Sequence, residues 1–385
     1  MRIAFFSTMG ALPWGGSEEL WCRAAHVLLD RGHEVCFNSF QWPKIATPLR
    51  ELEKHGARPH YRTRRRVGRT MSRILQKLRL TRMRYLTWLK TCKPDFVVIS
   101  FACHTDDPQI ANTCRRLGIP YSIVLQAAGS HNWIDNRSLD DFRDAYNGAK
   151  RCFFVSAENR DTIESNLAVE LQHSEIIDNP FSVAVDARPA WPATAPHWKL
   201  ACVARIHYLT KSQDLIVRVM RQPKWRARPL QIAMWGSDNG SLSRLQRALD
   251  VYGLHRQIRY GGVSHNIEQL WAEHHGLLLP SRSEGNPISL TEAMLCGRVP
   301  IVTNVGRAAE LIDDNDSGFI APAATAELLD EVLERAWHRR EDWRAMGQRA
   351  ANCIRTRHSL RPAEDLAERI LAAAATRPTL HRAAA

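Results

Sequence analysis

Apolar positions along the chain fall into two successive rounds of one pattern. The first round opens with a short apolar run, Arg2–Ser7, which predicts a strand. A loop from Thr8 to Gly16 follows, carrying Pro13 and the pair Gly15-Gly16. From Ser17 onward, Leu20, Trp21, Ala24, Ala25, Val27 and Leu28 recur at helical spacing. Gly32 stands where a helix-closing glycine belongs, and Glu34–Phe40 predicts the next strand. Further apolar runs over 95–103, 121–126 and 152–156 alternate with helical segments, the mark of a parallel α/β sheet.

The texture changes between 178 and 198. Asp178-Asn179-Pro180, Arg188-Pro189-Ala190-Trp191-Pro192 and Ala195-Pro196 form a proline-rich connector. A second alternation follows, with strands expected over 199–205, 230–236, 257–260, 276–280 and Val299–Thr303. The expected architecture is α/β, with two Rossmann-like, doubly wound domains facing each other across a cleft. An N-terminal domain covers 1–185, a linker 186–198 and a C-terminal domain 199–355, and a helix with an alanine-rich tail occupies 356–385. Ligands of such sheets bind beyond the carboxyl ends of the strands.

The densest chemistry lies at 280–297. A strand is expected to end at Pro280, and a helix to begin with Asn286 as N-cap and Pro287 at its first position, closed by Gly297. Free amides near Pro287 to Ser289 suit an anion, and the helix dipole adds to that preference. Glu284 would repel phosphate, so its oxygens suit neutral hydroxyls beside one. Glu292, about a turn and a half into the helix, can reach another hydroxylated group. An anion site flanked by two such carboxylates describes a nucleotide-sugar pocket. The same residues also fit a surface loop and an ordinary amphipathic helix with solvated glutamates. Arg205, at a strand end, and Lys211, where the next helix starts, form a second constellation. They offer a guanidinium fork and a point charge for phosphate oxygens on a departing group, or are plain surface cations.

Glu284 and Glu292 form an E-x7-E pair in a run that continues through Ala293-Met294, Cys296-Gly297, Val299-Pro300-Ile301-Val302, Gly306, Glu310 and Ser317-Gly318-Phe319. That ordered series resembles the retaining glycosyltransferases of family 4, the glycosyl transferases group 1. Arg205 and Lys211 match the family's diphosphate-binding positions, with Ala204 and Ser212 where glycines are usual. Trp235-Gly236 with Gly240, and Gly261-Gly262-Val263, resemble the two strand-end loops beside the nucleotide. Gly15-Gly16-Ser17-Glu18 resembles the family's N-terminal glycine loop. The likeness spans roughly residues 1–355 and is strongest from 199 to 320.

The resemblance implies a GT-B fold and a nucleotide-diphosphate-sugar donor held by the C-terminal domain. It implies hexosyl transfer with retention to a glycan or lipid-linked acceptor, in cell-surface polysaccharide or glycoconjugate biosynthesis. Under it, Arg205 and Lys211 bind the diphosphate and stabilise the leaving group, Glu284 hydrogen-bonds the donor sugar, and Glu292 the ribose. Gly285, Asn286, Pro287 and Ile288 contact phosphate, Gly236 and Val263 flank the nucleotide, and Gly16 approaches donor or acceptor. Relatives carry a histidine after the strand equivalent to 121–125, where Gln126 stands here. His131 is taken for that catalytic role, with His104 as the other candidate.

Charge adds one feature. The chain of 385 residues has 53 Lys and Arg against 40 Asp and Glu, a net charge of +13. Thirteen of the basic residues lie between His55 and Pro94, a stretch without any acid, so the remainder balances. Within it Met71, Ile74, Leu75, Leu78, Tyr85, Leu86 and Leu89 recur near helical spacing, interleaved with Arg73, Lys77, Arg79 and Arg84. This fits a basic amphipathic helix on an anionic membrane surface through 58–90, or a packed helix with a solvated arginine face. Arg62 to Arg69 is expected as a mobile loop gathering anionic acceptors.

A basic nucleic-acid-binding protein is the alternative of another class. Charge confined to one segment, without a stacking-aromatic pattern, argues against nucleic acid as a partner. A dehydrogenase would need a G-x-G-x-x-G after the first strand, which is absent. A non-catalytic sugar-nucleotide-binding relative is disfavoured by the intact Glu284, Glu292, Arg205 and Lys211. Nine scattered cysteines without C-x-x-C spacing argue against a disulfide framework or a zinc site. Asp314-Asn315-Asp316 spells D-x-D but lies in a turn-like run, so no metal and no cofactor are expected. The opening run is too short for a signal peptide and no apolar run is long enough to cross a bilayer, so a cytoplasmic enzyme is expected, peripheral at the inner membrane face.

Overall fold

The computed structural model describes residues 1–63, 80–129, 132–193 and 196–376. The chain divides into two units, Met1–Asn179 with Arg361–Ala385, and Pro180–Leu360. The division falls a few residues before the expected one. The connector 186–198 belongs to the second unit and the C-terminal helix to the first, where a separate tail over 356–385 was expected.

The first unit holds seven parallel strands: β1 (Arg2–Ser7), β2 (Glu34–Phe40), β3 (Arg58–Arg62), β4 (Phe96–Phe101), β5 (Tyr121–Leu125), β6 (Cys152–Phe154) and β7 (Ser174–Ile176). Their order is β3-β2-β1-β4-β5-β6-β7. Side chains alternate between two apolar layers. Ile3, Phe5, Phe96, Val98 and Val124 face one core, and Ala4, Phe6, Val97, Ile99, Ile123 and Leu125 face the other. Burial on both faces explains why these strands read as unbroken apolar runs. β3 carries Pro59 and sits at the sheet edge, where proline removes no ladder bond.

The helix Pro362–Ala375 packs Leu366, Ala367, Ile370 and Ala373 into the layer that also holds Leu20, Ala24 and Leu28 of the helix Gly16–Asp30. Arg31 pairs with Glu368 and Arg369 with Glu175 at its margins. Cys36 on β2 and Cys92 at the end of the helix Leu80–Cys92 are joined as a disulfide, and the other seven cysteines are free thiols. The two are 56 positions apart in sequence, and only the fold brings them together.

Residues 64–79 of the basic segment, the middle of the expected membrane helix, lie outside the described residues. Beyond them Trp88 and Leu89 are buried in the first unit's core, and Tyr85 sets its ring edge-on to Phe6. Arg62 is not a loop cation. Its guanidinium lies over Phe6 and Phe40 and donates to the carbonyls of Ser7 and Asn38. No described helix is long and apolar enough to cross a membrane.

The second unit holds β8 (Trp198–Val203), β9 (Leu230–Trp235), β10 (Ile258–Gly262), β11 (Gly276–Leu279), β12 (Val299–Thr303) and β13 (Phe319–Ala321), in the order β10-β9-β8-β11-β12-β13. This is the doubly wound order whose connections reverse direction between the first and fourth strands, here β8 and β11.

Leu366→Ala removes a fully buried side chain from the layer between the two helices of the first unit. A loss of about 2–5 kcal/mol is expected. Hydrogen exchange should accelerate in β1 and β4 and stay unchanged in β8 and β11; equal acceleration in both sheets would contradict the assignment of the C-terminal helix.

Candidate active site

The crevice of the second sheet opens between β8 and β11, and both strands deliver chemistry there. β8 ends at Val203, and the Ala204 amide donates to the Trp235 carbonyl at 2.8 Å. Gly236 follows with φ +145°, and a Cβ there would fall 2.1 Å from the Ala204 oxygen. Only glycine lets these two strand-end loops pass so closely. The Tyr260 hydroxyl donates to the Gly236 carbonyl at 2.9 Å and holds the loop from its other side.

Beyond Arg205 the short helix Tyr208–Lys211 carries Lys211 back over the crevice. Arg282, after β11, fixes its position. The Arg282 amide donates to the Thr210 carbonyl at 2.8 Å, and its guanidinium reaches the Tyr208 carbonyl at 2.6 Å. The same fork grips both Asp214 oxygens at 3.0 Å and the Ser212 hydroxyl at 3.0 Å. Lys211 Nζ consequently lies 2.6 Å from each Glu284 oxygen, and the Ser281 hydroxyl donates to Glu284 Oε1 at 2.7 Å. The side chains are only 14% and 7% exposed. Arg205 follows the end of β8; its side chain makes no hydrogen bond or ion pair with a described residue, while its carbonyl accepts from Gln213 Nε2 at 2.8 Å.

The helix Ile288–Leu295 begins one residue later than expected, with Pro287 at the cap, and Gly297 closes it at φ +68°. Asn286 is buried, its amide nitrogen 3.3 Å from His358 Nε2, while His358 Nδ1 lies 2.7 Å from the Ser359 carbonyl. The imidazole therefore donates from Nδ1 and accepts at Nε2. Burial pushes its pKa down to about 4, so the ring is neutral at physiological pH. Gly306, at φ +61°, supports the other side: a Cβ would fall 2.1 Å from the Gly285 carbonyl, which also accepts from the Arg307 amide at 3.0 Å. Glu292 is buried, with Oε1 accepting from the Ser182 amide at 2.9 Å and its hydroxyl at 2.5 Å. It thus ties the start of the second unit to the helix, a duty additional to the expected one.

The structure brings Arg205, Lys211, Glu284, Gly285 and Asn286 together around one crevice. Val263, just beyond β10, is 54% exposed, and Gly16 opens the helix Gly16–Asp30 in the first unit. His131 lies outside the described residues. His104 is buried and engaged with the Asn132 carbonyl and the Gly129 amide. Gln126 is 5% exposed and both polar atoms of its side chain lack a partner among the described residues. In the same unit Glu18 accepts from the Ser7 hydroxyl at 2.9 Å, and burial raises its pKa to about 7.

Asp314 and Asp316 of the D-x-D are paired with Arg335 and Arg349, and no cluster of three metal-ligating side chains occurs among the described residues. Ser281, Arg282 and His358 were not foreseen. Arg282 and Ser281 lay inside the run already singled out, but their partners lie about 70 or more residues away or depend on rotamer, and His358 gave no local signal.

Residues 187–352 match the profile of the family described as glycosyl transferases group 1. An exopolysaccharide phosphotransferase from Streptomyces coelicolor is 31% identical over 131 residues, 33% of this chain and 13% of that protein. A glycogen synthase from Thioalkalivibrio sulfidiphilus is 28% identical over 150 residues, 36% of this chain and 31% of that protein. The chain thus spans less than a third of each of these two relatives. HepE of Anabaena, solved in complex with UDP, superposes with a TM-score of 0.73 at 16% identity, covering 97% of this chain and 100% of that one. The fold is GT-B, as the motifs implied.

Two buried histidines make the stability of the second unit depend on pH. His358 and His275 are both pushed down to about 4 by burial, and His275 Nδ1 accepts from the Lys199 amide at 3.0 Å. In the unfolded chain each ring takes a proton near pH 6.5, whereas the folded chain takes it only near 4. Stability is therefore full above about pH 6.5 and falls as pH drops toward 4, by on the order of 3 kcal/mol per ring. Denaturation of the domain between pH 7 and 4 should show this loss, smaller in His358→Gln. A flat profile would mean the rings are charged in the folded state.

Proposed function

We propose that this chain transfers a sugar from a nucleotide-diphosphate donor to a hydroxyl-bearing acceptor. The observation that carries the proposal is the largely buried Lys211–Glu284 pair at the crevice, with Arg205 just past the end of β8. In the resting site the ammonium and carboxylate satisfy each other. A diphosphate entering the crevice would meet the Arg205 fork and draw Lys211 toward its oxygens. Glu284, released from Lys211 and still oriented by Ser281, then accepts hydrogen bonds from the donor sugar's hydroxyls. As the bond to the sugar breaks, negative charge grows on the departing phosphate, and Arg205 and Lys211 neutralise it in a site where little water competes. No metal ion is needed for that charge balance.

The motif resemblance supports the finer reading: hexosyl transfer with retention, to a glycan or lipid-linked acceptor, in surface polysaccharide or glycoconjugate synthesis at the cytoplasmic face of a membrane. The UDP complex of HepE supports a nucleotide donor. Glu292 would then contact the ribose from a helix that Ser182 holds in place.

A thermal-shift panel of UDP-, GDP- and ADP-sugars without added metal tests the donor site. A ligand at a hundredfold over its Kd stabilises the folded state by about 2.7 kcal/mol. One nucleotide should raise Tm, and Arg205→Ala should remove most of that rise. Glu284→Gln should keep the shift with the free nucleotide and lose transfer. Full turnover in Glu284→Gln, or no shift with any of the panel, would overturn the assignment.

A further inference from the structure

At the opposite end of the second sheet's strands lies a cavity of about 450 Å³, away from the crevice. β12 begins beside it, just after Gly297-Arg298, and ends at Thr303, whose hydroxyl donates to the Ser281 carbonyl behind Glu284. A five-residue strand separates the two places by roughly 15 Å. The lining contains Arg188, Arg298, Arg344 and Arg355, and no carboxylate among the described residues.

The arginines are arranged rather than scattered. Arg298 forms the floor and is 2% exposed. Its guanidinium donates to the carbonyls of Trp271 at 2.7 Å, Cys296 at 2.9 Å, Pro189 at 3.1 Å and Ala190 at 2.6 Å, and lies 5.2 Å from the Trp191 ring centroid. Its donors are met by neutral oxygens, so a full positive charge is buried without a counter-ion, which is costly unless an anion approaches.

Arg344, Gln348, Asn352 and Arg355 come from one face of the helix Trp343–Arg357, at spacings that repeat each turn. Other faces of the same helix behave differently: Arg349 pairs with Asp316 and Arg357 with Asp313. The guanidinium groups of Arg344 and, on the connector, Arg188 make no hydrogen bond or ion pair with any described residue. Arg355 donates only to the Val185 carbonyl at 3.0 Å.

We propose that this cavity is a second anion site, for a small phosphate-bearing ligand distinct from the sugar donor. Arg188 and Arg344 would close on the phosphate oxygens from opposite walls, over the charge of Arg298. Gln348 and Asn352 would supply amides for hydroxyl or carbonyl groups on the rest of the molecule. Such a ligand would bridge the connector at 187–191 to the helix Trp343–Arg357.

Inorganic pyrophosphate, followed by thermal shift, is the probe. It should raise Tm in the unaltered protein and in Arg205→Ala, which disables the crevice. Apparent affinity should fall on the order of tenfold for each of Arg188→Ala and Arg344→Ala, the worth of one charge-assisted contact. Both side chains are exposed and unpartnered, so the variants should fold. A parallel arm measures sedimentation with phosphatidic-acid vesicles: loss of that binding in the double variant, without a pyrophosphate effect, would identify a lipid headgroup as the phosphate's source. A pyrophosphate shift that disappears in Arg205→Ala would overturn the proposal. So would the absence, in both arms, of any response to the double variant.

Discussion

Arg282 is the tie on which the candidate site depends. Its fork holds Tyr208, Ser212 and Asp214 at once, while its amide holds Thr210, so the loop after β11 and the helix Tyr208–Lys211 become one rigid corner. Without that corner, Lys211 would have no reason to lie over Glu284. A largely buried ion pair is expensive to desolvate and is tolerated only when geometry is good and remaining lone pairs are met. Here both carboxylate oxygens face the ammonium, and Ser281 supplies one more donor. On the proposed function the pair would also be a placeholder, its two members being the charges that a diphosphate and a sugar would each require.

The same corner depends on backbone approach that side chains would prevent. Gly236 passes under the Ala204 carbonyl and Gly306 under the Gly285 carbonyl, each with a positive φ and no room for a Cβ. Ser212 shows the opposite solution. It occupies a left-handed conformation, φ +56°, at a position where the resembling family has glycine. An L-residue there costs roughly 1–2 kcal/mol, and the hydrogen bond that its hydroxyl accepts from Arg282 offsets part of that cost. The departure from the motif is thus absorbed by the very residue that orders the site.

Much of this was legible in the sequence because the signals are local. Strands buried on both faces are continuous apolar runs, so β1, β2, β4, β5, β8, β9, β11 and β12 could be read directly. β3, β7 and β13 could not: they are short, and β3 carries charged and proline residues because it is an edge. Glu284 and Arg205 were legible as residue types after strand ends and Lys211 at a helix, and the crevice near which they fall follows from the switch in strand order. What pins them was not legible. The partners of Arg282, the neutral tautomer of His358 behind Asn286, and the hold of Glu292 on Ser182 are contacts across 68 to 110 positions, and no spacing rule encodes them. The domain boundary was displaced for a similar reason: proline-rich texture marks where regular structure stops, whereas the carbonyls of Pro189 and Ala190 are captured by a distant arginine.

Because the excess of positive charge sits between His55 and Pro94, the remainder of the chain is balanced in total. Pairing, however, is decided within a few ångströms, where opposite charges interact far more strongly than at longer, screened range. On the helix Trp343–Arg357 the answered arginines, Arg349 and Arg357, face the turn that carries Asp313 and Asp316, while Arg344 and Arg355 face a hollow with no acid in it. A balanced total therefore conceals a local positive field, built over a buried arginine whose charge only carbonyls and an aromatic ring attend. In a chain whose other arginines so often find carboxylates, such a field at a concave surface favours an anion over a cation.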